Sequence, residues 1–496
     1  MDNQVSFQSH RILALNTLAF TVCFAAWMLN GVLVTFLVEN RIFQWTPVQV
    51  GWLLGVPVLV GSIMRLPVGV LTDKFGGRYV MTAIMVTCAV PLFFLSRANS
   101  FTSYLLLSFA FGMIGSAFAA GIAFTSLWYP KEKQGTVLGI FGAGNIGAAL
   151  TTLFAPGFLN RLTEHGTRPE AWVRLPQLYA LVLVVFATLY FLTTINKKSK
   201  DIKTIFQRLA PLKERRVWRF GLYYLFMFGS FVALAQWLIP YYVSVYSMSI
   251  VSAGLMATIF SLPAGLVRAV GGWLADRVGA SVLLLWTLGI CLVCLIFLLV
   301  PRMEILAPGQ GVMAAKEGVV TEVSNQAIVM GEDRYMLQSQ SGSNENVQVK
   351  FGIGHAEEPF LFLPTTKFNQ EPVVKVGDEV KKGQLIAKGV THIYFQANKW
   401  IFSSLVFLIG VMMGIGGAAV FKHISDYYPG NMGAVGGIVG VLGGLGGFFS
   451  PIVFGYLLKV TGIWTTCWLF LAIAALICIV LQRIAIKAVI NKSVER

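Results

Sequence analysis

"RLPVGVLTDKFGGR", residues 65–78, returns 203 residues later as "RAVGGWLADRVG", residues 268–279. The same shift aligns three pairs of residues that share their chemistry: Arg65 with Arg268, Asp73 with Asp276, and Gly76 with Gly279. Internal repetition at a fixed shift indicates that two parts of a chain are copies of one structural unit. The sequence therefore predicts a fold made of two pseudo-symmetric halves.

The composition predicts that both halves are embedded in a membrane. Hydrophobic residues make up 56% of the 496 residues, charged residues make up 12%, and the mean hydropathy is +0.72. These values lie well outside the range of soluble domains. An apolar run of about 20 residues crosses the bilayer core as a helix. Twelve such runs give an all-α bundle of six helices per half: 13–37, 48–71, 79–97, 101–128, 136–157, 173–195, 217–246, 250–273, 281–301, 399–421, 431–457 and 462–486.

One segment, 302–398, interrupts the pattern between the ninth and tenth runs and holds eleven of the 22 acidic residues. Its stretches "GVVTEVSNQAIVM" and "EPVVKVGDEVKKGQLIAKG" alternate β-branched with polar residues, which predicts strands. The second stretch resembles the half-motif of barrel-sandwich hybrid domains, found in biotinyl and lipoyl carriers, membrane-fusion adaptors and part of the RNA polymerase β subunit. Because the Ala-Met-Lys-Met motif of the carriers is missing, we expect a small β-rich soluble insert that has a structural role or docks an additional partner.

The distribution of lysine and arginine predicts the orientation, because short loops rich in these residues stay in the cytoplasm. The segment 196–219 carries nine lysines and arginines against two acidic residues. We therefore expect both termini in the cytoplasm and the insert on the periplasmic side of the inner (plasma) membrane. The net charge of +16 then reflects topology and contact with anionic lipid, with no nucleic acid as partner. The predicted units are 1–195, the N-terminal six-helix half; 196–216, the basic linker; 217–301, helices 7–9; 302–398, the insert; and 399–496, helices 10–12 and the tail.

All six cysteines lie in apolar runs, where free cysteines pack as small hydrophobic residues. We expect no disulfide, metal site or other cofactor from them. The N-terminal "MDNQVSFQSHRI" lacks the cleavage pattern of a signal peptide. The expected activity is transport, and we do not expect the chain to be an enzyme.

Arg65 is the residue that points to a ligand. It lies eight residues before Asp73, which is about 12 Å of helix. An arginine at the centre of a membrane helix costs roughly 2.5–3.5 kcal/mol. For a single arginine, a structural role with a backbone carbonyl as partner is an alternative. Two arginines at the same depth in pseudo-symmetric halves, Arg65 and Arg268, would instead face each other across a central cavity.

The apolar runs offer this pair no carboxylate as a counter-ion. The acidic residues closest to the runs lie at their outer ends, Glu39 and Glu170, or at their inner ends, Asp73, Glu132, Asp276 and Asp426. The counter-ion is then predicted to be the substrate. The planar guanidinium fork matches planar oxyanions in a bidentate manner, and aromatic walls would keep such a site narrow.

The repeated stretch resembles the cytoplasmic loop signature of the major facilitator superfamily, G-x-L-a-D-r-x-G-x-R. In this signature the aspartate caps and pairs across the loop, while the glycines permit a tight turn. The resemblance implies the twelve-helix major facilitator fold for all of the chain except the insert. It assigns four residues to the gating loops: Asp73, Arg78, Asp276 and Arg277.

Two glycine-rich stretches narrow the resemblance. "GTVLGIFGAGNIGAAL", residues 135–150, and "GAVGGIVGVLGGLGGFFSP", residues 433–451, are similar to the paired signatures of the nitrate/nitrite porter (NarK-type) family. Glycines at helical spacing also allow close helix approach, whatever else they do. The signature glycines are Gly139, Gly142, Gly144, Gly147, Gly440, Gly443, Gly444 and Gly447.

The family resemblance implies further residues around the anion. Asn145 matches a family asparagine near the substrate, and the aromatic positions fall on Phe24, Phe118, Tyr224 and Phe228. Without the resemblance, each of these aromatic residues is better explained as a core or lipid-facing residue, and only the motif match reverses that preference. The implied function is alternating access, in which a monomer clamps nitrate or nitrite between Arg65 and Arg268 for nitrate assimilation or respiration.

Three alternatives remain from the sequence. The first is a facilitator for another small organic anion, and the second is a component of a biotin-dependent pump. The third is a sensor or scaffold that binds a partner through the insert. For the preferred function, exchange of nitrate for nitrite is favoured over proton symport, because no intramembrane Asp, Glu or His is placed to carry a proton. The first signature is nevertheless similar to that of members thought to be proton symporters.

Overall fold

The structure is a computed structural model. It describes residues 7–130, 134–199, 205–299, 303–324, 326–340, 348–350, 365–395, 399–428 and 432–494. The chain forms two compact units, Met1–Phe297 with Ser403–Arg496, and Leu298–Phe402. The first unit is helical and the second contains the strands.

The predicted all-α bundle of twelve spans is confirmed. Eleven helices are long and apolar enough to cross a membrane, and a pair of helices bent by 40° completes the twelve. In chain order, spans 1 to 12 are Phe7–Glu39, Pro47–Ile63 with Arg65–Phe75, Gly77–Arg97, Phe101–Ser126, Val137–Leu162, Pro169–Thr193, Arg215–Tyr246, Ile250–Val278, Ala280–Phe297, Lys399–Tyr427, Ala434–Thr461 and Thr466–Ala488.

Several spans consist of more than one helix. The α-helices are Phe7–Trp27 and Leu29–Glu39 in span 1, Phe101–Gly112 and Ala117–Ser126 in span 4, Gln134–Gly142 and Gly147–Leu162 in span 5, and Arg215–Tyr224 and Ser230–Tyr246 in span 7. Span 3 contains Gly77–Phe94, span 6 contains Arg174–Thr193, span 11 extends over Met432–Thr461 and span 12 over Thr466–Val494. A short helix, Ile205–Leu209, lies in the linker.

The two-half repeat is visible at both ends of spans 2 and 8. Thr46 and Ser249, which are 203 residues apart, cap the starts of these spans by accepting hydrogen bonds from the third following backbone N–H, of Gln49 and Ser252. At the other end, Gly76 and Gly279 terminate the helices with φ angles of +92° and +90°. These angles favour glycine, because a side chain would strain the backbone there.

The halves pack most closely at one end of the bundle. Odd-numbered spans finish at one end of the bundle, which we call the odd-loop end. Even-numbered spans finish at the opposite end, which we call the even-loop end. In the odd-loop half of spans 2 and 11, a Cβ at Gly51 would stand 2.4 Å from the carbonyl oxygen of Pro451. Toward the even-loop end, Gly139, Gly272 and Gly437 have no such neighbour within 4 Å. The spans therefore close against each other at the odd-loop end.

The predicted β-rich insert is confirmed as a unit with its own core. Its strands are β1 (Met303–Met313), β2 (Gly318–Val323), β3 (Ala327–Met330), β4 (Asp333–Met336), β5 (Ser339–Gln340), β6 (Gln348–Lys350), β7 (Thr365–Pro372), β8 (Glu379–Val380) and β9 (Leu385–Phe395). They form two antiparallel sheets, ordered β5-β7-β9-β1-β6 and β4-β3-β2-β8. The buried core consists of Ala314, Val320, Ile328, Met330, Val374, Val380, Ile386 and Ala387.

All six cysteines are buried free thiols. They lie in spans 1, 3, 9 and 12. Cys291 and Cys294, the only C-x-x-C pair in the sequence, are one helical turn apart within span 9 and pack in its buried face. Both thiols pack in the way that small apolar side chains pack between helices.

Candidate functional site

Besides the break at Met28 in span 1, regular helix geometry is interrupted near the middle of four further spans. Span 2 bends between Ile63 and Arg65, spans 4 and 5 contain 3₁₀ turns, and span 7 contains a π-helical turn, Leu225–Gly229. Such turns re-aim side chains and are frequent at functional sites. Each of these four breaks contains, or lies within two residues of, one of the predicted site residues: Arg65, Phe118, Asn145 and Phe228.

Arg65 is enclosed by aromatic rings and one backbone carbonyl. Its side chain is only 3% exposed, and Nη1 donates a hydrogen bond of 2.5 Å to the carbonyl oxygen of Gly440 in span 11. The guanidinium carbon lies 5.0 Å from the ring centroid of Phe118 and 5.3 Å from that of Phe228, within the range of cation–π attraction. Nε has no hydrogen-bond partner, so the guanidinium retains donor capacity for a ligand.

Arg268 reaches the same aromatic ring from the other half. Its Nη2 donates a hydrogen bond of 2.5 Å to the Tyr224 hydroxyl, and its guanidinium carbon lies 5.7 Å from the Phe228 ring centroid. Tyr224 stacks on Phe228 with a centroid distance of 5.0 Å and an interplanar angle of 5°. The structure thus brings together both repeat arginines and the two predicted aromatic residues of span 7.

The electrostatics of this pair favour an anion. In the described part of the chain, none of the ion pairs includes Arg65 or Arg268. Both charges lie within 6 Å of the Phe228 ring. Arg65 is buried and Arg268 is partly buried, and an unpaired charge is costly where it is shielded from water. A carbonyl and a hydroxyl each satisfy one donor, but neither carries the negative charge that would neutralise the pair.

Asn145 lines a small cavity beside Arg268. The side chain is buried, and its Oδ1 has no hydrogen-bond partner. The cavity has a volume of about 10 Å³, room for about one water molecule. Its other lining residues are Met227, Phe228, Phe231, Ala264, Met413, Gly414 and Gly417. Side chains here must move apart before an anion fits.

Phe24 lies one layer further from the arginines. Its ring contacts Phe20 and Trp27 edge-on, each at 5.5 Å between centroids. Phe20 in turn contacts Phe118 at 5.4 Å and stacks on Phe141 at 4.9 Å. Phe20, Phe141, Met227 and Met413 were not identified from the sequence. The signals for the two phenylalanines were present, since Phe20 lies one helical turn before Phe24 and Phe141 lies inside the first glycine-rich stretch.

The glycines of the second signature fit against the site. Gly440 supplies the carbonyl for Arg65. A Cβ at Gly443 would stand 2.2 Å from Cδ1 of Tyr224, and one at Gly444 would overlap the Ser62 hydroxyl. At Gly447 a Cβ would stand 3.0 Å from side-chain atoms of both Val58 and Val232. This glycine face lets span 11 approach spans 2 and 7 closely.

The first signature divides into two parts. Gly144 and Gly147 lie against span 1, where a Cβ would stand 2.5 Å from Phe20 and 2.2 Å from the carbonyl oxygen of Thr21. At Gly142 a Cβ would meet only Cδ of Arg268, at 3.9 Å, and at Gly139 it would meet nothing within 4 Å. Only Gly144 and Gly147 are required for packing in this conformation.

The predicted gating residues have different partners in the two halves. Asp276 forms an ion pair with Lys422 of span 10 at 2.8 Å, and Lys422 also pairs with Asp426. Arg277 lies over the ring of Trp273, at 4.2 Å from its centroid. In the first half, Arg78 lies 4.2 Å from the ring centroid of Phe191, and the backbone carbonyl of Asp73 accepts a hydrogen bond from Ser199 N–H.

Comparison with solved structures supports the architecture. The chain is similar to a bacterial homolog of the human lysosomal transporter Spinster in an inward-facing and occupied conformation, with a TM-score of 0.62 and 13% identity over 98% of both chains. It is also similar to the fucose:proton symporter FucP of E. coli, with a TM-score of 0.55 and 14% identity over 96% of this chain and 99% of that one. At these identities the likeness shows the fold alone.

Comparison with sequences identifies the family. The Major Facilitator Superfamily profile matches residues 15–313. The chain is 34% identical to a probable nitrate/nitrite antiporter, NarK1, of Thermus thermophilus, over 91% of this chain and 86% of that protein. It is 31% identical to the nitrite extrusion protein of Bacillus subtilis, over 54% of this chain and 66% of that protein. With its twelve spans and this extent of identity, the chain belongs to the NarK-type family of the major facilitator superfamily.

Proposed function

We propose that this protein transports nitrate, nitrite or both across the inner membrane by alternating access, with the anion clamped between Arg65 and Arg268. The observation that carries the proposal is the meeting of both arginines at the Phe228 ring, 5.3 and 5.7 Å from its centroid. None of the described ion pairs neutralises either charge. The names of the relatives, a nitrate/nitrite antiporter and a nitrite extrusion protein, agree with this chemistry.

The shape of the site favours a small planar oxyanion over a bulky organic anion. The Phe118 and Phe228 rings lie against the Arg65 guanidinium, and the cavity beside Arg268 is only about 10 Å³. Nitrate and nitrite are flat, and their oxygens match the guanidinium fork. A bulky carboxylate would have to displace several aromatic rings. This argues against the facilitator for another organic anion.

The contacts of the two arginines suggest how the anion enters the clamp. Nη1 of Arg65 is held by the Gly440 carbonyl, and Nη2 of Arg268 by the Tyr224 hydroxyl. We infer that the anion takes the place of the Gly440 carbonyl, because an anionic acceptor forms the stronger hydrogen bond. Asn145 lines the small cavity beside Arg268, and its amide would donate to a further anion oxygen. Phe24, in the second layer, would hold Phe118 in place through Phe20.

We assign the odd-loop end to the periplasm, from the basic residues of the even-numbered loops and the linker. Both termini and the 196–216 linker then lie in the cytoplasm, and the insert is periplasmic. Because the halves are packed together at the odd-loop end, this conformation has its outer gate closed. Asp73, Arg78, Asp276 and Arg277 would act at the cytoplasmic gate. We propose that a monomer is the transporting unit.

Exchange is favoured over net uptake on electrostatic grounds. Without an anion, closing the site would bring two positive charges into a drier space of lower dielectric constant, where their repulsion grows. An anion bound in either direction relieves this repulsion. Symport would need a proton carrier. His423, the buried histidine among the described residues, packs against Phe220 and Tyr427 at the even-loop end of span 10, away from the arginine pair.

The test is nitrate entry into liposomes that contain only this protein. At equal internal and external pH we expect rapid entry when the liposomes are loaded with nitrite, and little entry when they are loaded with a non-substrate anion such as gluconate. An inward proton gradient should not replace internal nitrite. Entry that ignores internal nitrite and rises with the proton gradient would show symport. No entry under any condition, by a monodisperse protein, would favour the sensor or scaffold alternative.

The insert is expected to be dispensable for the transport step. Both arginines and every aromatic residue around them lie in the spans, and the insert has a separate core. Removal of residues 304–396, with a short flexible linker in their place, should leave nitrate entry within about twofold of the full chain. The liposome assay above measures this. Loss of entry by a well-folded deletion protein would show that the insert takes part in the transport cycle.

A further inference from the structure

Three hydroxyl side chains connect the halves where span 5 meets span 8. Thr152 Oγ1 lies 2.9 Å from Thr258 Oγ1 and 3.3 Å from Ser261 Oγ. All three side chains are buried. Thr152 belongs to the N-terminal half, and Thr258 and Ser261 belong to the C-terminal half. These hydrogen bonds therefore cross the boundary along which the halves must separate.

The cluster lies on the path that leads outward from the proposed anion site. Thr152 follows Asn145 by seven residues, and Ser261 precedes Arg268 by seven. Seven residues are about two helical turns, so each hydroxyl lies on roughly the same face as the site residue of its own span. The two antiparallel spans thus place the hydroxyls at one level, toward the odd-loop end of the site.

The seam around the cluster is too tight for an anion to pass. A Cβ at Gly254 would stand 2.4 Å from the carbonyl oxygen of Thr152, and one at Gly265 would stand 3.2 Å from the backbone nitrogen of Ile146. The backbones of spans 5 and 8 are therefore in direct contact on both sides of the hydroxyls. Opening this route requires that the hydroxyl contacts break.

Each hydroxyl also has a carbonyl partner in its own helix. The Gly254 carbonyl oxygen lies 2.8 Å from Thr258 Oγ1, that of Ala257 lies 3.2 Å from Ser261 Oγ, and that of Ala149 lies 3.2 Å from Thr152 Oγ1. Each hydroxyl has one proton, so a hydroxyl that donates across the boundary in the closed state does not donate to its own carbonyl at the same time. When the halves separate, each hydroxyl can turn its proton to the carbonyl of its own helix, so no hydroxyl is left unsatisfied. The contact is thus suited to repeated opening. An ion pair in its place would leave exposed charges along the route of an anion.

We propose that Thr152, Thr258 and Ser261 form a hydroxyl latch that holds the outer gate closed and sets how often the site faces outward. This inference rests on the proposed alternating access. Loss of the latch should shift the population toward the outward-open state. Interhelical side-chain hydrogen bonds in membrane proteins are individually weak, so the shift should be modest and measurable.

The test uses a thiol introduced by Ser261→Cys, which is buried while the gate is closed. In this background the Thr152–Thr258 bond remains. Addition of Thr152→Val, which removes the hydroxyl at nearly constant volume, should raise the rate of labelling by an external, membrane-impermeant maleimide by about threefold, and by at most about twentyfold. Thr258→Val should act in the same direction. The protein without Ser261→Cys gives the background rate, since its six cysteines are buried.

Two matched variants control for general loosening. Thr152→Ser keeps the hydroxyl and should restore the parental rate. Thr163→Val removes a buried hydroxyl at the odd-loop end of span 5, away from the latch, that bonds to carbonyls of its own helix, and it should leave the rate unchanged. The latch is overturned if Thr152→Val labels at or below the parental rate, or if Thr163→Val accelerates labelling equally. This assay contains no nitrate. A negative result in it is therefore distinguishable from a finding that the protein does not transport nitrate or nitrite.

Discussion

Arg65→Lys and Arg268→Lys are each expected to weaken nitrate binding about 10- to 100-fold. Each substitution removes the planar fork that can hold two oxygens of the anion, and a hydrogen bond to a charged group is worth about 1.5–3 kcal/mol. The charge stays, so the substituted proteins should still fold and insert. The measurement is the concentration dependence of nitrate entry into nitrite-loaded liposomes.

Arg97→Lys provides the matched control for this pair. Arg97 is exposed at the odd-loop end of span 3 and lies over the Phe94 ring, 5.3 Å from its centroid. Arg97→Lys therefore makes the same chemical change far from the proposed site. It should transport nitrate with the affinity of the parent protein. Near-parental affinity in either Arg65→Lys or Arg268→Lys would show that the clamp does not hold the anion.

Gly443→Ala is expected to give the second large effect. The new methyl group would stand 2.2 Å from Cδ1 of Tyr224, a ring already held by stacking on Phe228 and by an edge contact with Phe421. Tyr224 must shift, which removes the hydroxyl from Arg268. Overpacking of this kind costs about 1–3 kcal/mol. We expect a lower thermal midpoint and at least about tenfold weaker nitrate binding.

Gly289→Ala is the control, because a Cβ at Gly289 in span 9 meets nothing within 4 Å. Replacement of a helical glycine by alanine in open space stabilises a helix by about 0.5–1 kcal/mol. This variant should keep parental nitrate affinity and an equal or higher thermal midpoint. If Gly443→Ala behaves like Gly289→Ala in both measurements, the packing of span 11 against Tyr224 does not matter for the site.

The fold could be predicted because its signals are local or repetitive. Span length follows from hydropathy alone, and the shift of 203 residues carries over to real geometry, from the helix caps at Thr46 and Ser249 to the positive φ angles at Gly76 and Gly279. The β-rich insert was recognisable from alternation and glycine punctuation. None of these inferences requires knowledge of which spans touch.

The site was predicted less completely, because its details depend on packing between spans. The repeat aligns Arg65 with Arg268, yet one donates to the Gly440 carbonyl and the other to the Tyr224 hydroxyl. The π-helical turn that carries Phe228 has no evident signal in the sequence. Phe20 and Phe141 fill the space behind Phe118, and their role follows only from the way spans 1, 4 and 5 meet.

The signature glycines show the same limit. Read as a pattern, the eight positions are equivalent. In the structure, Gly443 and Gly147 are in contact with neighbouring spans, whereas Gly139 borders open space. A spacing rule identifies which face of a helix is smooth, but the neighbour that uses the face is determined by the tertiary fold.

The most direct test of the anion clamp is a structure of the protein determined at saturating nitrate. We predict a planar anion within hydrogen-bond distance of both Arg65 and Arg268 and next to the Phe228 ring, with Nη1 of Arg65 turned from the Gly440 carbonyl to an anion oxygen. An anion bound away from the two arginines, or arginines that keep their Gly440 and Tyr224 contacts while nitrate is bound elsewhere, would contradict the account.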